Sequence, residues 1–329
     1  MTREPIHTKK AERPRLGTFC LVFLLLFSLA LLLRRADVAA DSMREGLTLC
    51  ARAVVPSLFP FMVLSELLVA SGVGEWLLSP LSRPLGKLLG LSRAGCCAVV
   101  LGLLCGFPVG ARCAILAYEK GTLSRDECER AMACSSIPSS AFLLGTVGTT
   151  LWQDAKFGVF LYLSTISGAL LSEILLYGVQ KRRKKETKKA AKEPLSPIRF
   201  DAGMFPIAVK NATVSTLLIC AYVVFFSTLS GAVTLILGRF GANENTHAIL
   251  SSLLELSGGV GASASLADRR LAMILTGAAV GWSGVSIHCQ MLSLCDGHRL
   301  SIRPYLAAKV VQSMVCMLLV LAFAMYRGG

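Results

Sequence analysis

Glycine, proline and serine interrupt several apolar stretches of this sequence. A helix that breaks inside hydrocarbon frees backbone N–H and C=O groups, which protein, water or a ligand must satisfy. The half-helix ends add partial charges, and serine adds hydroxyls, a chemistry that suits an uncharged or zwitterionic solute better than a bare metal ion. We predict a substrate path lined by Gly106, Pro108, Gly110, Arg112, Ser135, Ser136, Pro138, Ser139, Ser140, Gly258, Gly259, Gly261, Ser263, Ser283 and Ser286. Close helix packing is the alternative explanation for these small residues.

Ionisable residues also fall within or beside apolar stretches: Glu66, Glu173, Glu255 and His288. Such residues are costly in lipid and usually face a cavity or the protein interior. Arg112 follows one break directly, and we expect it to pair with Glu66 or Glu173. Glu255 is a candidate for binding protons or Na⁺, and His288 is a candidate for titration near neutral pH. The alternative is a static ion pair, or a side chain that extends to the membrane interface.

The sequence lacks the patterns of catalytic and metal sites. It has no G-x-x-x-x-G-K-[ST], G-x-S-x-G, HExxH or C-x-x-C, and its four histidines are scattered. GGVGASA half-matches a dinucleotide-binding fingerprint, but it lies in an apolar segment without a preceding strand. We therefore predict no enzymatic activity, no catalytic residue, no metal site and no cofactor.

The composition indicates a membrane protein. Of the 329 residues, 54% are hydrophobic and only 16% are charged, and the mean hydropathy is +0.62. These values exclude an ordinary cytosolic enzyme, a disordered chain and a fibrous protein. The net charge of +14 fits basic residues on the cytoplasmic side of spanning helices, and we expect no nucleic-acid partner.

Hydropathy and capping patterns predict an all-α polytopic fold with about seven spanning helices and two re-entrant or broken hairpins. The hairpins are 94–118 and 247–267, and 75–91 reads as interfacial segments. Ser124 followed by Glu127 forms a capping-box pattern, which predicts a helix start near Arg125. The predicted spans are 17–33, 53–71, the helix from Arg125 to Trp152 with a break at 135–140, 156–179, 206–237, 271–295 and 304–326.

The chain divides into four parts. Residues 1–45 form a basic N-terminus with the first transmembrane helix, which is either a retained anchor or a signal peptide. Residues 46–180 and 204–329 form two membrane repeats. Residues 181–203 are a basic linker, of which 181–192 is either a solvated cytoplasmic segment or a site for anionic lipid or nucleic acid.

The two halves follow the same order of elements, which predicts an internal repeat. With the N-terminus inside, most Lys and Arg fall on the inner side, and the smaller outer set includes Arg52. An odd number of spans per half then makes the repeat inverted. Inverted repeats with paired broken segments are common in secondary transporters, whose substrate sites lie where the breaks meet.

Residues 54–72, 105–131 and 135–148 resemble the Gate (nucleoside-recognition) domain, and in particular the YlbJ-type sporulation integral membrane proteins. The resemblance makes 46–180 a Gate-like repeat and implies a polytopic inner-membrane protein with a role in spore formation. Gate domains also form part of the membrane pathway in concentrative nucleoside transporters and ferrous-iron transport proteins. The residues that match are Gly106, Pro108, Gly110, Ala111 and the Ser135–Ser140 break, whereas Cys105 and Phe107 stand where relatives have Ser and Tyr.

Two functional hypotheses follow. The first is a transporter-like protein in the bacterial inner membrane, with a cytoplasmic N-terminus, that moves or gates a small polar solute. A nucleoside is one candidate solute, and a coupling ion and a homo-oligomer are compatible with it. The second is a non-transporting sporulation component that recruits protein partners, for which the linker at 181–192 would matter most.

Overall fold

The computed structural model describes residues 29–30, 33–177 and 197–327, and these residues are helical without strands. Most of the first predicted span, and the linker at 181–192, lie outside the described residues. The α-helices are α1 Ala36–Leu49, α2 Val55–Ser71, α3 Val73–Leu77, α4 Ser79–Leu89, α5 Arg93–Cys105, α6 Val109–Glu119, α7 Arg125–Ser135, α8 Ala155–Tyr177, α9 Met204–Arg239, α10 Glu244–Leu254, α11 Leu256–Ala264, α12 Arg269–Trp282, α13 Gly284–Cys295 and α14 Arg303–Arg327. Cys50–Val54 and Ala141–Leu151 are π-helical.

Four helical segments in the described part of the chain are long and apolar enough to cross a membrane. They are Ala155–Tyr177, Met204–Ile236, Arg269–Cys295 and Arg303–Arg327. A fifth is added if α4 and α5, which meet at an angle of 100°, count as one span. The predicted count of seven is therefore not confirmed, and the inverted repeat stays a prediction.

The predicted second span is part of a longer helix. α1, the π-helical turn Cys50–Val54 and α2 follow one another without a gap, and the apolar portion within α2 runs from Leu58 to Ser71. α9 packs along both α1 and α2. This pairing places the π-helical turn against the middle of α9.

The short polar helix α7 begins where the capping pattern predicted. The Ser124 hydroxyl accepts a hydrogen bond from the Glu127 N–H at 3.3 Å. The reciprocal half of the capping box is not formed, because the Glu127 carboxylate accepts from the Ser92 N–H instead. The Glu127 side chain thus ties the start of α7 to the start of α5.

The last helix, α14, packs against α8 from the first half and α12 from the second. The Cys316 thiol lies 3.4 Å from the Ser164 carbonyl, and Gly168 faces Cys316. On the other side, Gly281 lies so close to α14 that a Cβ atom there would be 2.5 Å from the Ser313 Cα. Glycine is therefore needed at 281 for the two backbones to approach.

This contact predicts that Gly281→Ala destabilises the protein by about 1–3 kcal/mol, the usual range for overpacking. Gly238→Ala is the matched control, because it lies in a helix with open space around the position. The measurement is the thermal unfolding midpoint in detergent. Equal midpoints for the two variants would contradict the close α12–α14 contact.

Candidate functional site

The first predicted break lies between α5 and α6, at residues 106–108. Gly106 has φ +81°, a left-handed conformation that favours glycine. A Cβ atom on Gly106 would lie 2.4 Å from the backbone N of Ser139. The Phe107 N–H donates to the Ile137 carbonyl at 2.7 Å. This break is therefore packed directly onto the second one.

The second break, residues 136–140, separates α7 from the π-helical segment. The Ser140 hydroxyl donates to the Leu104 carbonyl at 2.9 Å, near the end of α5. The Ser136 hydroxyl donates to the Met132 carbonyl at 2.6 Å. The buried Ser135 packs against Gly102 and Gly110 of the hairpin. Serine hydroxyls thus satisfy carbonyls that the breaks expose, and Ser135 has a packing role.

The third break falls earlier than the sequence suggested. The hairpin 247–267 is interrupted at Glu255, which is extended (φ −144°, ψ 134°), whereas Gly258, Gly259 and Gly261 lie inside α11. The Glu255 carboxylate accepts from the Gly258 N–H at 2.6 Å and so caps α11.

The glycines of this hairpin serve packing rather than the break itself. A Cβ atom on Gly259 would lie 2.2 Å from the Ser252 Cα, so glycine lets α11 pack closely onto α10. The Ser263 hydroxyl donates to the Gly259 carbonyl at 2.8 Å, and its oxygen lies 3.5 Å from that of Ser252. Ser263 therefore belongs to the α10–α11 contact.

The fourth break is a kink at Ser283, between α12 and α13. Ser283 has φ +74°, and Gly284 packs against the backbone of Glu255. The Trp282 indole N–H donates to the Leu253 carbonyl at 3.3 Å. As in the first half, a hairpin break and a second break lie against each other.

A cavity of about 410 Å³ lies where the breaks of the two halves meet. This volume is within the range of about 300–1,000 Å³ that is usual for small-molecule sites. Phe107, Pro138 and Ser139 line it from the first half, and Glu255 and Gln290 from the second. Of the predicted residues, Pro138, Ser139 and Glu255 thus reach the cavity.

None of the remaining predicted path residues lines this cavity. Gly106, Pro108 and Ser140 shape the breaks that carry the lining residues, and Ser286 accepts a hydrogen bond from the Gln290 amide at 3.3 Å. Pro108 lines a small adjoining pocket together with Phe107 and Gln290.

Arg112 was predicted to pair with Glu66 or Glu173, and it pairs with Glu66. The Arg112 Nε lies 3.0 Å from the Glu66 Oε1, and the Glu66 side chain is only 6% exposed. The Asn211 amide donates to the other carboxylate oxygen of Glu66 at 2.9 Å. Neither charge lines the cavity, so the pair joins α2, α6 and α9.

Glu173 pairs instead with Arg130, at 2.7 Å from its Nε. The Arg130 guanidinium also donates to the Leu89 and Gly90 carbonyls at the turn between α4 and α5. Arg130 was not among the residues predicted from the sequence. Its position on the polar helix α7 gave no sign of a buried carboxylate partner on α8.

His288 belongs to a buried polar cluster away from the cavity lining. Its Nδ1 lies 2.8 Å from the Tyr305 hydroxyl. Lys309, fully buried in α14, donates to the Ser283 hydroxyl at 2.9 Å. The sequence analysis did not single out Lys309, although a lone lysine inside an apolar run is a signal for such a role.

The chain is similar to the sporulation integral membrane protein YlbJ of Bacillus subtilis (strain 168). The two sequences are 23% identical over 340 residues, which cover 91% of this chain and 80% of the relative. No family model matches the chain, and no solved structure matches it.

With the four or five candidate spans of the described residues, this similarity supports a multi-pass integral membrane protein. Neither the relative's name nor a family model shows a Gate domain, so that resemblance stays a prediction.

The Arg112–Glu66 pair allows a stability prediction. Arg112→Met leaves a buried carboxylate without its cation, and we expect it to destabilise the protein by about 3–5 kcal/mol. The double variant Arg112→Met with Glu66→Leu should recover part of this loss. The thermal unfolding midpoint in detergent is the measurement.

Arg44→Met is the control, because the pair of Arg44 with Asp41 is exposed at both partners. Exposed pairs contribute about 0.2–1 kcal/mol. A loss in Arg112→Met no larger than in Arg44→Met would show that the buried pair does not hold the helices together.

Proposed function

We propose that this protein is a transporter-like integral membrane protein with a Gate-type first half, which moves or gates a small polar solute during spore formation. Its place is the bacterial inner membrane, with the N-terminus in the cytoplasm. The observation that carries the proposal is the cavity of about 410 Å³ that interrupted helices of both halves line. The relative is named as a sporulation integral membrane protein, which supports the proposed role in spore formation.

The arrangement of the breaks supports movement of a solute rather than a purely structural role. Each half brings a hairpin break against a second break, at Gly106 with Ser139 and at Glu255 with Gly284. Irregular backbone at membrane depth is tolerated where it is buried in protein or lines a water-filled cavity. Two such pairs around one cavity are the elements that alternating access requires, in which one half rocks against the other.

A larger side chain at a lining position would occupy the cavity. Thr146 lines it from the π-helical segment Ala141–Leu151 and is partly buried. We expect Thr146→Phe to occupy the cavity and to reduce the yield of heat-resistant spores strongly when it replaces the native gene in its host. The membrane level of the protein, measured by immunoblot, should stay normal.

Thr150→Phe is the matched control. Thr150 belongs to the same segment but is exposed and does not line the cavity, so this variant should sporulate normally. Normal sporulation by Thr146→Phe would count against a solute path. If neutralising the basic residues of 181–192 abolished sporulation at the same time, the scaffolding alternative would replace the proposal.

A binding screen tests the solute directly. A ligand at 100 times its Kd that binds only the folded state stabilises it by about 2.7 kcal/mol. We expect at least one probe from a panel of nucleosides, amino acids, small carboxylic acids and NaCl to raise the thermal unfolding midpoint of the purified protein. The rise should disappear in Thr146→Phe, and a rise that persists there would place binding outside the cavity.

A further inference from the structure

A fully buried lysine that the proposed function does not use lies at the kink between α12 and α13. Lys309 has no exposed surface. Its amine nitrogen donates to the Ser283 hydroxyl at 2.9 Å and lies 3.5 Å from the Gly281 carbonyl. Ser283 is near the middle of the candidate span Arg269–Cys295, so Lys309 lies at membrane depth. An ionisable residue at that depth is costly and is a candidate for a functional role.

No carboxylate pairs with Lys309 in the described part of the chain. Its two acceptors, a hydroxyl and a carbonyl, are both neutral. Arg112 and Arg130, by contrast, pair with Glu66 and Glu173. An ammonium group buried without an anion is costly, whereas the same amine without its proton carries no charge. The free energy of the protonated form therefore depends on the two neutral acceptors at the kink.

The titratable side chains closest to this amine supply no negative partner. The Lys309 nitrogen lies 5.9 Å from the centre of the Tyr305 ring, and the Tyr305 hydroxyl lies 2.8 Å from the His288 Nδ1. The other ring nitrogen of His288, Nε2, is buried and has no hydrogen-bond partner among the described residues. Further along α14, the Cys316 thiol donates to a carbonyl of α8. The cluster thus contains groups that can bind a proton but no anion to fix one.

Charged groups on the helices that pack against α14 are engaged elsewhere. On α7, Glu129 accepts from a backbone N–H just before α14, and Arg130 pairs with Glu173 of α8. On α12, Arg269 and Arg270 lie at the first two positions, at the end of the helix away from the kink. None of these groups compensates a charge on the lysine within the described helices.

The kink itself is strained and is joined to the cavity wall. Ser283 has φ +74°, a conformation that is unfavourable for a residue with a side chain and persists only where its surroundings impose it. The hydrogen bond from Lys309 is one such contact. The next residue, Gly284, packs so closely on Glu255 that a Cβ atom would lie 3.1 Å from the Glu255 Cα, and Glu255 lines the cavity. Direct contacts therefore lead from the amine to the cavity.

We infer that Lys309 binds a proton whose presence controls the kink at Ser283, so that movement of the solute is coupled to protons. The inference rests on the proposed function and supplies its coupling ion. The amine lone pair takes a proton from water, which forms an N–H bond and the ammonium group, and release returns the proton to water. Hydrogen bonds from a charged donor are roughly twice as strong as those from a neutral one. The protonated form therefore holds the kink, and the neutral form releases it.

Coupling also requires that the proton cannot exchange freely. Lys309 is sealed from solvent in this arrangement, so the proton is occluded until the kink opens. By linkage, opening of the kink and release of the proton favour each other to the same extent. A buried lysine without an anion thus meets both requirements of a coupling site.

Trp282, directly before the kink, is a built-in reporter. Its indole N–H donates to the Leu253 carbonyl, and its ring lies 4.4 Å from that of His288. The chain has three tryptophans, so Trp76→Phe with Trp152→Phe leaves Trp282 alone. The emission of this full-length parent, purified in detergent, is recorded from about pH 5 to about pH 10, the range over which lysines in proteins titrate.

We expect a titration in the Trp282 emission that is absent in both Lys309→Met and Lys309→Arg. Methionine never carries the proton, and arginine never releases it. His288→Gln is the matched variant in the same cluster and should keep the titration. No titration in the parent would overturn the inference. A titration that survives Lys309→Met and disappears in His288→Gln would assign the proton to the histidine and overturn it as well.

Lys309→Met should fold, because removing a lone buried charge also removes the cost of its desolvation. Its thermal unfolding midpoint should be at the level of the parent or above. If the methionine variant fails to fold, Lys309→Arg, which keeps the charge, carries the test alone.

A thiol on the cavity wall tests whether the proton acts on the cavity. Thr146 lines the cavity, whereas Thr150 of the same segment does not. Full-length Thr146→Cys and Thr150→Cys are labelled in nanodiscs with an uncharged maleimide, and mass spectrometry separates each site from the native cysteines. The ratio of the two rates corrects for the effect of pH on thiol chemistry. We expect the ratio to fall by about fivefold or more as the pH rises, the lower end of usual coupling between sites.

The same ratio in the Lys309→Met background should not change with pH. A ratio that stays level or rises in the parent, or a fall that persists in Lys309→Met, would overturn the inference and leave the proposed function standing. If residue 146 is not labelled at any pH while residue 150 is, the cavity is closed to solutes. The proposed function is then wrong together with this inference.

Discussion

The structure depends on the pairing of backbone groups that broken helices release inside the membrane. Each unpaired peptide group in hydrocarbon costs several kcal/mol, so a break survives only where a partner is supplied. Here the partners come from the other break of the same half. The Phe107 N–H reaches the Ile137 carbonyl, and the Ser140 hydroxyl reaches the Leu104 carbonyl.

The second half meets the same constraint with different side chains. Glu255 caps α11, the Trp282 indole satisfies the Leu253 carbonyl, and Lys309 donates to the Ser283 hydroxyl at the kink. Larger and charged groups replace the serines and direct backbone contacts of the first half. The two halves thus satisfy their broken backbone with different residue types.

Local signals in the sequence predicted local features well. Gly106, Pro108 and Gly110 predicted the break at 106–108, and Ser124 predicted the start of α7, because both effects act within a few residues. The break near 255 was misplaced because Gly258–Gly261 suggests a flexible turn, whereas the capping carboxylate of Glu255 stabilises a helix through those glycines. Contacts between residues far apart in the chain were harder to predict. For Arg112 the sequence left two candidate partners, Glu66 and Glu173, and the structure shows Glu66. Nothing near Arg130 in the sequence indicated that it pairs with Glu173.

The intramembrane charges separate into two classes by what they contact, and this distinction bears on function more than their number does. Arg112 and Arg130 contact carboxylates or carbonyls of other helices, so they join elements and would be needed in any state of the protein. Arg52 contacts none within the described residues and lies on the wall of the cavity at the meeting point of the breaks. Because the Arg52 side chain is exposed, its charge is not isolated by burial and does not require a partner on another helix.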